Sequence, residues 1–241
     1  MWRSGALVSS VFLLTGILLL LPSPAASAAP YEELDNFFRK ATTILSEAYR
    51  EPSRASRAQY EIRQLARPLF DVRGAARRVL GPEWSALSVA EREEFIRLFG
   101  DHLLSGYLSL VRGKLSRDRP PIIRLVAEDV GAGGRIALVR TVIRAKDGAD
   151  LRFDYVMSKA GASWLVQDVL VGGVSLIENY RAQVAQVLRD SSYAGVVARL
   201  RSGPGDAGRS SPRQPEIKSA VGGPTPYPPA QFVAPPNAEK P

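Results

Sequence analysis

Apolar residues recur at helical spacing through the first half of the chain. Leu34, Phe37, Phe38, Ala41, Ile44, Leu45 and Ala48 share one face at i, i+3, i+4, i+7 spacing. This predicts an amphipathic helix over residues 31–51, which Pro52 ends. Ile62, Leu65 and Ala66 predict a second helix from about Ser56 to Arg67, and Pro68 then bends the path into Leu69, Phe70 and Val72. A short helix follows at about 73–80, closed by Gly81-Pro82. Ser88 and Glu91 have the spacing of a capping box, which opens a long helix reaching to about Lys114. Its stripe is Phe95, Leu98, Phe99, Leu103, Tyr107, Leu110 and Val111.

After Pro120-Pro121 the period changes from helical to alternating, with strands predicted near 122–128, 135–145, 150–159 and 163–171. Gly131-Ala-Gly-Gly134, Lys146-Asp-Gly148 and Lys159-Ala-Gly161 supply the turns between them. Consecutive short turns imply an antiparallel meander. In the last strand Trp164, Val166, Asp168 and Leu170 alternate with Leu165, Gln167, Val169 and Val171 until Gly172-Gly173 breaks the run. Ser175 then precedes Glu178 by three residues, another capping-box spacing, and helices resume at about 175–190 and 193–202. Helices first, a sheet next and helices last predict an α+β domain, with helices packed on a curved antiparallel sheet of about four strands.

The two ends read differently from this domain. Arg3, the apolar run Ala6–Leu21 and the small-residue motif Ala26-Ser27-Ala28 have the form of a secretory signal peptide cleaved near Ala28. The apolar run is short of the roughly 20 residues that span a bilayer, so a retained anchor is the weaker reading. The domain is therefore expected over 29–202. Ten of the 39 residues in 203–241 are proline, and glycine, serine and alanine supply much of the rest. Such a tail buries too little apolar surface to offset its ordering entropy and is expected to be disordered.

Composition narrows the chemistry. There is no cysteine, which removes disulfides, thiolate nucleophiles and zinc–thiolate sites. The net charge of +8 suits an anionic membrane surface or an acidic partner, and export argues against nucleic acid. The single histidine, His102, stands beside the long helix's apolar stripe, where a boundary histidine is a simpler reading than a catalytic base. No serine has a recognisable nucleophile setting. One histidine leaves transition-metal binding little to work with, so neither a metal nor another cofactor is expected. Glu32-Glu33 and Glu93-Glu94 fall in first helical turns, where the helix dipole accounts for them. The rival enzyme reading would place Asp154 or Asp168 with Tyr155 in a small apolar pocket as an acid–base pair.

What the chain does carry is a large supply of apolar side chains on faces expected to converge between long helix and sheet. Phe70, Phe95, Phe99, Tyr107, Phe153, Tyr155, Met157 and Trp164 are the largest. On the residues alone, this inventory suits a packed core better than a binding cavity.

Two blocks of the sequence carry a family resemblance. One is Trp164…Asp168-Val…Gly173-Val-Ser-Leu-Ile-Glu-Asn-Tyr-Arg181. The other is Ala75-Ala-Arg-Arg-Val-Leu-Gly-Pro-Glu-Trp84, followed by Glu91-Arg-Glu-Glu-Phe95, Phe99, Leu103 and Tyr107. Over about residues 31–202 the chain resembles the MlaC, or Ttg2 toluene-tolerance, family of periplasmic phospholipid carriers, which includes a hopanoid-associated branch, HpnM. The resemblance implies an apolar cavity for acyl chains between helices and sheet. It implies that Phe70, Val79, Phe95, Phe99, Leu103, Tyr107, Val139, Phe153, Tyr155, Met157, Trp164, Val166 and Ile177 line that cavity. It implies no catalytic residue, a phospholipid or hopanoid-type cargo, and a head group at the mouth near Arg73, Arg77 or Arg78. The implied partners are an inner-membrane ABC transporter complex bearing an MCE protein and an outer-membrane lipoprotein complex, with outer-membrane lipid asymmetry as the physiological setting.

Overall fold

The computed structural model describes residues 29–114 and 121–202. The expected signal segment 1–28 and proline-rich tail 203–241 lie outside the described residues. Helix α1 spans Pro30–Arg50 and buries Leu34, Phe37, Phe38 and Ala41. Proline at the first helical position and Glu32 and Glu33 in the first turn suit a helix start. A 3-10 turn at Pro52–Arg54 leads into α2, Ala55–Ala66, whose buried residues are Ala58, Ile62 and Ala66. Helix α3, Val72–Leu80, is capped by Asp71, whose side chain accepts from the Gly74 amide at 2.9 Å. A one-turn helix α4, Glu83–Ala86, had no signal in the period of the sequence. The Ser88–Glu91 box then opens α5, Val89–Lys114: the Ser88 amide donates to Glu91 at 2.8 Å and the Glu91 amide to the Ser88 hydroxyl at 3.3 Å.

The sheet is antiparallel with strands in sequence order: β1 Ile123–Val130, β2 Ile136–Arg144, β3 Asp150–Ala160, β4 Ser163–Val171 and β5 Val174–Ser175. The four expected strands are present, and a two-residue fifth folds back on β4. Gly172 and Gly173 make that reversal at φ of 58° and 87°, a backbone region costly for any residue with a Cβ. Register shifts at Val126 in β1 and Gln167 in β4 insert one extra residue each, which bends and twists the sheet locally. Beside the second bulge, Leu69–Asp71 forms a short parallel bridge to Val166, with Asp71 N–Val166 O at 3.0 Å and Val166 N–Leu69 O at 2.8 Å. Helices α6, Leu176–Asp190, and α7, Tyr193–Arg201, complete the described chain.

Two hydrophobic clusters form the core, and α5 serves both. Leu104 and Tyr107 pack with α1, α2 and the inner residues of β2–β4, including Val139, Phe153, Tyr155, Met157, Trp164 and Val166. One to three turns earlier, Phe95, Phe99 and Leu103 pack instead with α3, α6 and α7 through Val79, Ile177, Val184 and Val196. Phe95 and Phe99 stack at 5.6 Å, and Tyr180 meets Phe99 edge-on at 5.6 Å. The hydroxyl of Tyr180 fits because residue 106 lacks a side chain: a Cβ on Gly106 would lie 2.6 Å from it.

Candidate functional site

The first cluster is incomplete at one end. Between α1, α2, the C-terminal half of α5 and the end of the sheet lies a cavity of about 1110 Å³. Helix α1 contributes Phe37, Phe38, Ala41, Leu45, Ala48 and Tyr49 to its wall, and α2 contributes Ala55, Ala58, Gln59 and Ile62. Tyr107, Leu108, Ser109 and Val111 come from α5, Ile123 and Ile143 from the sheet, and Lys146 from the β2–β3 turn. The void has a volumetric cause. Helices α1 and α2 face it with Ala41, Ala48, Ala55 and Ala58, too small to fill the space that a close-packed interior would occupy. Among the described residues of the wall, Lys146 carries the only charge, and it is exposed where the wall meets solvent.

Tyr107 on the wall is tied to the core behind it by a hydroxyl pair. Tyr107 and Tyr155 approach at 2.7 Å between phenol oxygens, and Phe38 packs edge-on against Tyr155 at 5.7 Å. Burial pushes the Tyr107 phenol up to about 12, opposed by its hydrogen bond to Tyr155. Burial likewise drives Tyr155 well above the ordinary phenol value, and the neighbouring Tyr107 adds to it. Both are therefore neutral, each occupied by the other.

The expected site residues divide by position. Tyr107 lies on the wall of the large cavity. Val139, Phe153, Tyr155, Met157, Trp164 and Val166 are at most 4% exposed and fill the core behind it. Phe70, Leu103, Val166 and Ile177 surround, with Tyr107, a gap of about 10 Å³, the room of a single water at most. Val79, Phe95, Phe99, Leu103 and Ile177 belong to the second cluster. Alternation correctly assigns the inner sheet residues to the buried face. The rings of Phe38 and Tyr107 then cover that face, so the open space is displaced toward α1 and α2. The residues missed as lining were visible as the α1 stripe from Phe37 to Ala48. Their signal was small side chains on two facing helices, not periodicity.

The basic residues expected near a head group are not on this wall. All three are on α3: Arg73 pairs with Glu93 at 2.8 Å, Arg78 donates to the side chain and the carbonyl of Gln167 beside the β4 bulge, and Arg77 is exposed. Arg78 thus ties α3 to β4 at the bulge.

The acid–base candidates are also committed. Asp168 accepts from the Ser175 hydroxyl, from the Val169 amide at 2.8 Å and from the Ile177 amide at 3.2 Å, so it fastens the start of α6 to β4. Ser175 in turn accepts from the Glu178 amide at 3.0 Å. Burial raises the Asp168 carboxyl above its ordinary range, and these hydrogen bonds and Arg78 pull against it. Asp154 forms an ion pair with Arg152 at 2.9 Å on the opposite side of β3 from Tyr155, since successive strand residues alternate. No single pocket can hold that dyad. His102 packs against Tyr180 at 5.7 Å, and burial, then Arg199, lowers its pKa. Among the described residues no cluster of metal-ligating side chains forms, and no helix is long and apolar enough to cross a membrane.

The profile of the MlaC protein family matches residues 36–202. The chain belongs to the MlaC family. Among solved structures, the phospholipid-binding protein from Ralstonia solanacearum, determined in complex with a phospholipid, shares the fold of this MlaC family member. The TM-score is 0.59 at 19% identity, over 73% of this chain and 95% of the other. The α+β architecture expected from the sequence is thus the MlaC fold.

Proposed function

We propose that this chain is a periplasmic lipid carrier that holds the acyl chains of a phospholipid in the α1–α2–α5 cavity and moves it between membranes. The observation that carries this reading is the cavity itself: about 1110 Å³, walled mainly by apolar side chains, with no carboxylate among its described lining residues. A methylene group occupies about the room of a liquid water molecule, roughly 30 Å³, so roughly 35 of them fit, on the order of two acyl chains. Family membership and the phospholipid-bound relative support the same cargo.

Exposing tails to water costs about 0.8 kcal/mol per methylene, which blocks unaided passage of a two-chain lipid across an aqueous compartment. An apolar cavity replaces one oily phase with another, so transfer in either direction is close to balanced. Tails offer no hydrogen-bond code, and the wall can be loose about chain identity. No acid, base, metal or other cofactor is needed; Asp154 and Asp168 have structural partners, and His102, whose Nδ1 is buried without one, packs on Tyr180 away from the cavity wall, so the reading is non-enzymatic. The signal-like N-terminus supports export, and the resemblance supports an inner-membrane ABC transporter complex with an MCE protein and an outer-membrane lipoprotein complex as donor and acceptor. The test is mass spectrometry of lipids extracted from protein purified from the periplasm. Stoichiometric two-chain phospholipid is expected; protein that is repeatedly free of lipid overturns the proposal.

A further inference from the structure

Among the described residues, Lys146 is the one cation on the cavity wall. It sits in the turn between β2 and β3, held by Ala145 N–Ala149 O at 2.8 Å and Gly148 N–Ala145 O at 3.1 Å. Its side chain stands at the solvent-facing edge of a wall whose other described residues are uncharged. The carboxylates of three neighbouring described residues have partners of their own. Asp147 accepts from the Ala149 amide at 3.0 Å, Asp150 is shared by Arg124 at 2.9 Å and Arg144 at 2.6 Å, and Glu47 pairs with Arg54 at 3.0 Å. A flexible ammonium at the lip of an apolar cavity is suited to an anion tethered to an apolar body.

We infer that Lys146 binds the phosphate of the lipid head group, so that the protein favours two-chain lipids with anionic head groups over uncharged lipids with the same tails. The inference rests on the carrier reading above and adds the group that selects among cargoes. An ammonium–phosphate pair open to solvent is a modest interaction, screened by salt. It therefore biases cargo without trapping it, which a carrier that must release lipid requires.

The test loads the full chain from phosphatidylcholine vesicles containing equal small fractions of phosphatidylglycerol and diacylglycerol with identical chains. The readout is the ratio of these two lipids bound to folded protein. Wild type favours phosphatidylglycerol, Lys146→Ala lowers the ratio about two- to five-fold, and Lys146→Arg restores it. Added salt brings the wild-type ratio toward that of Lys146→Ala. Lys40→Ala removes an exposed charge that is not on the wall and keeps the wild-type ratio. Glycerol phosphate, a head group without tails, leaves bound phosphatidylglycerol in place. An unchanged ratio in Lys146→Ala, an equal fall in Lys40→Ala, or displacement by glycerol phosphate overturns the inference while leaving the carrier reading standing. Wild type that takes up no lipid of any kind overturns the carrier reading itself, and the inference with it.

Discussion

The hydroxyl pair between Tyr107 and Tyr155 ties the cavity wall to the core behind it, because each phenol is buried and the other is its partner at 2.7 Å. Replacing Tyr107 with Phe strips a buried polar group of a partner and should cost roughly 1 kcal/mol in urea unfolding. The double variant Tyr107→Phe/Tyr155→Phe should recover part of that loss, since removing both polar groups is cheaper than removing one. Strictly additive losses would show that the pair is not coupled. His102 permits a second test at this scale, because it is the chain's only histidine. Burial lowers its pKa below the ordinary 6.5, so the unfolded chain takes up the proton more readily. Its contribution to stability is fully present above pH 6.5 and is lost as pH falls through the folded value. Thermal midpoints should fall across that window in wild type and less so in His102→Gln. Parallel profiles for the two proteins would contradict this.

At the scale of elements, the long helix α5 is the shared wall of both clusters, and its fit to α6 depends on Gly106. A Cβ there would press on the Tyr180 hydroxyl at 2.6 Å, and Tyr180 is held by Phe99 and His102. Gly106→Ala should therefore destabilise by about 1–3 kcal/mol despite the better helix propensity of alanine. Tyr180→Phe in the same chain removes the clashing oxygen, so the double variant should regain most of the midpoint in denaturant; no rescue would place the strain elsewhere. Most elements were legible from the sequence because each has a long, clean period. The Phe37–Ala48 stripe, the Ser88–Glu91 and Ser175–Glu178 spacings and the alternation through β2–β4 all act locally. The fifth strand and the Phe70–Val166 bridge are too short to leave a period: the first is a local reversal through Gly172-Gly173, the second a long-range pairing beside the β4 bulge.

For the whole molecule, the question is where packing stops. A periodic stripe states that Phe153 and Phe38 face inward, but not whether the volumes opposite them sum to a filled interior. That sum fails beside Ala41, Ala48, Ala55 and Ala58, which is why a cavity was legible from the family resemblance and its wall was not legible from alternation. The same arithmetic supplies the decisive experiment. Ala58 is 5% exposed, faces the cavity from α2, and is small enough that its wall can be filled from within. Native mass spectrometry should find one two-chain lipid on the folded wild-type protein and little or none on folded Ala58→Trp, whose indole occupies the space of the tails. Stoichiometric lipid retained by a folded, monodisperse Ala58→Trp protein would contradict the account, because the chains would then lie outside the α1–α2–α5 cavity.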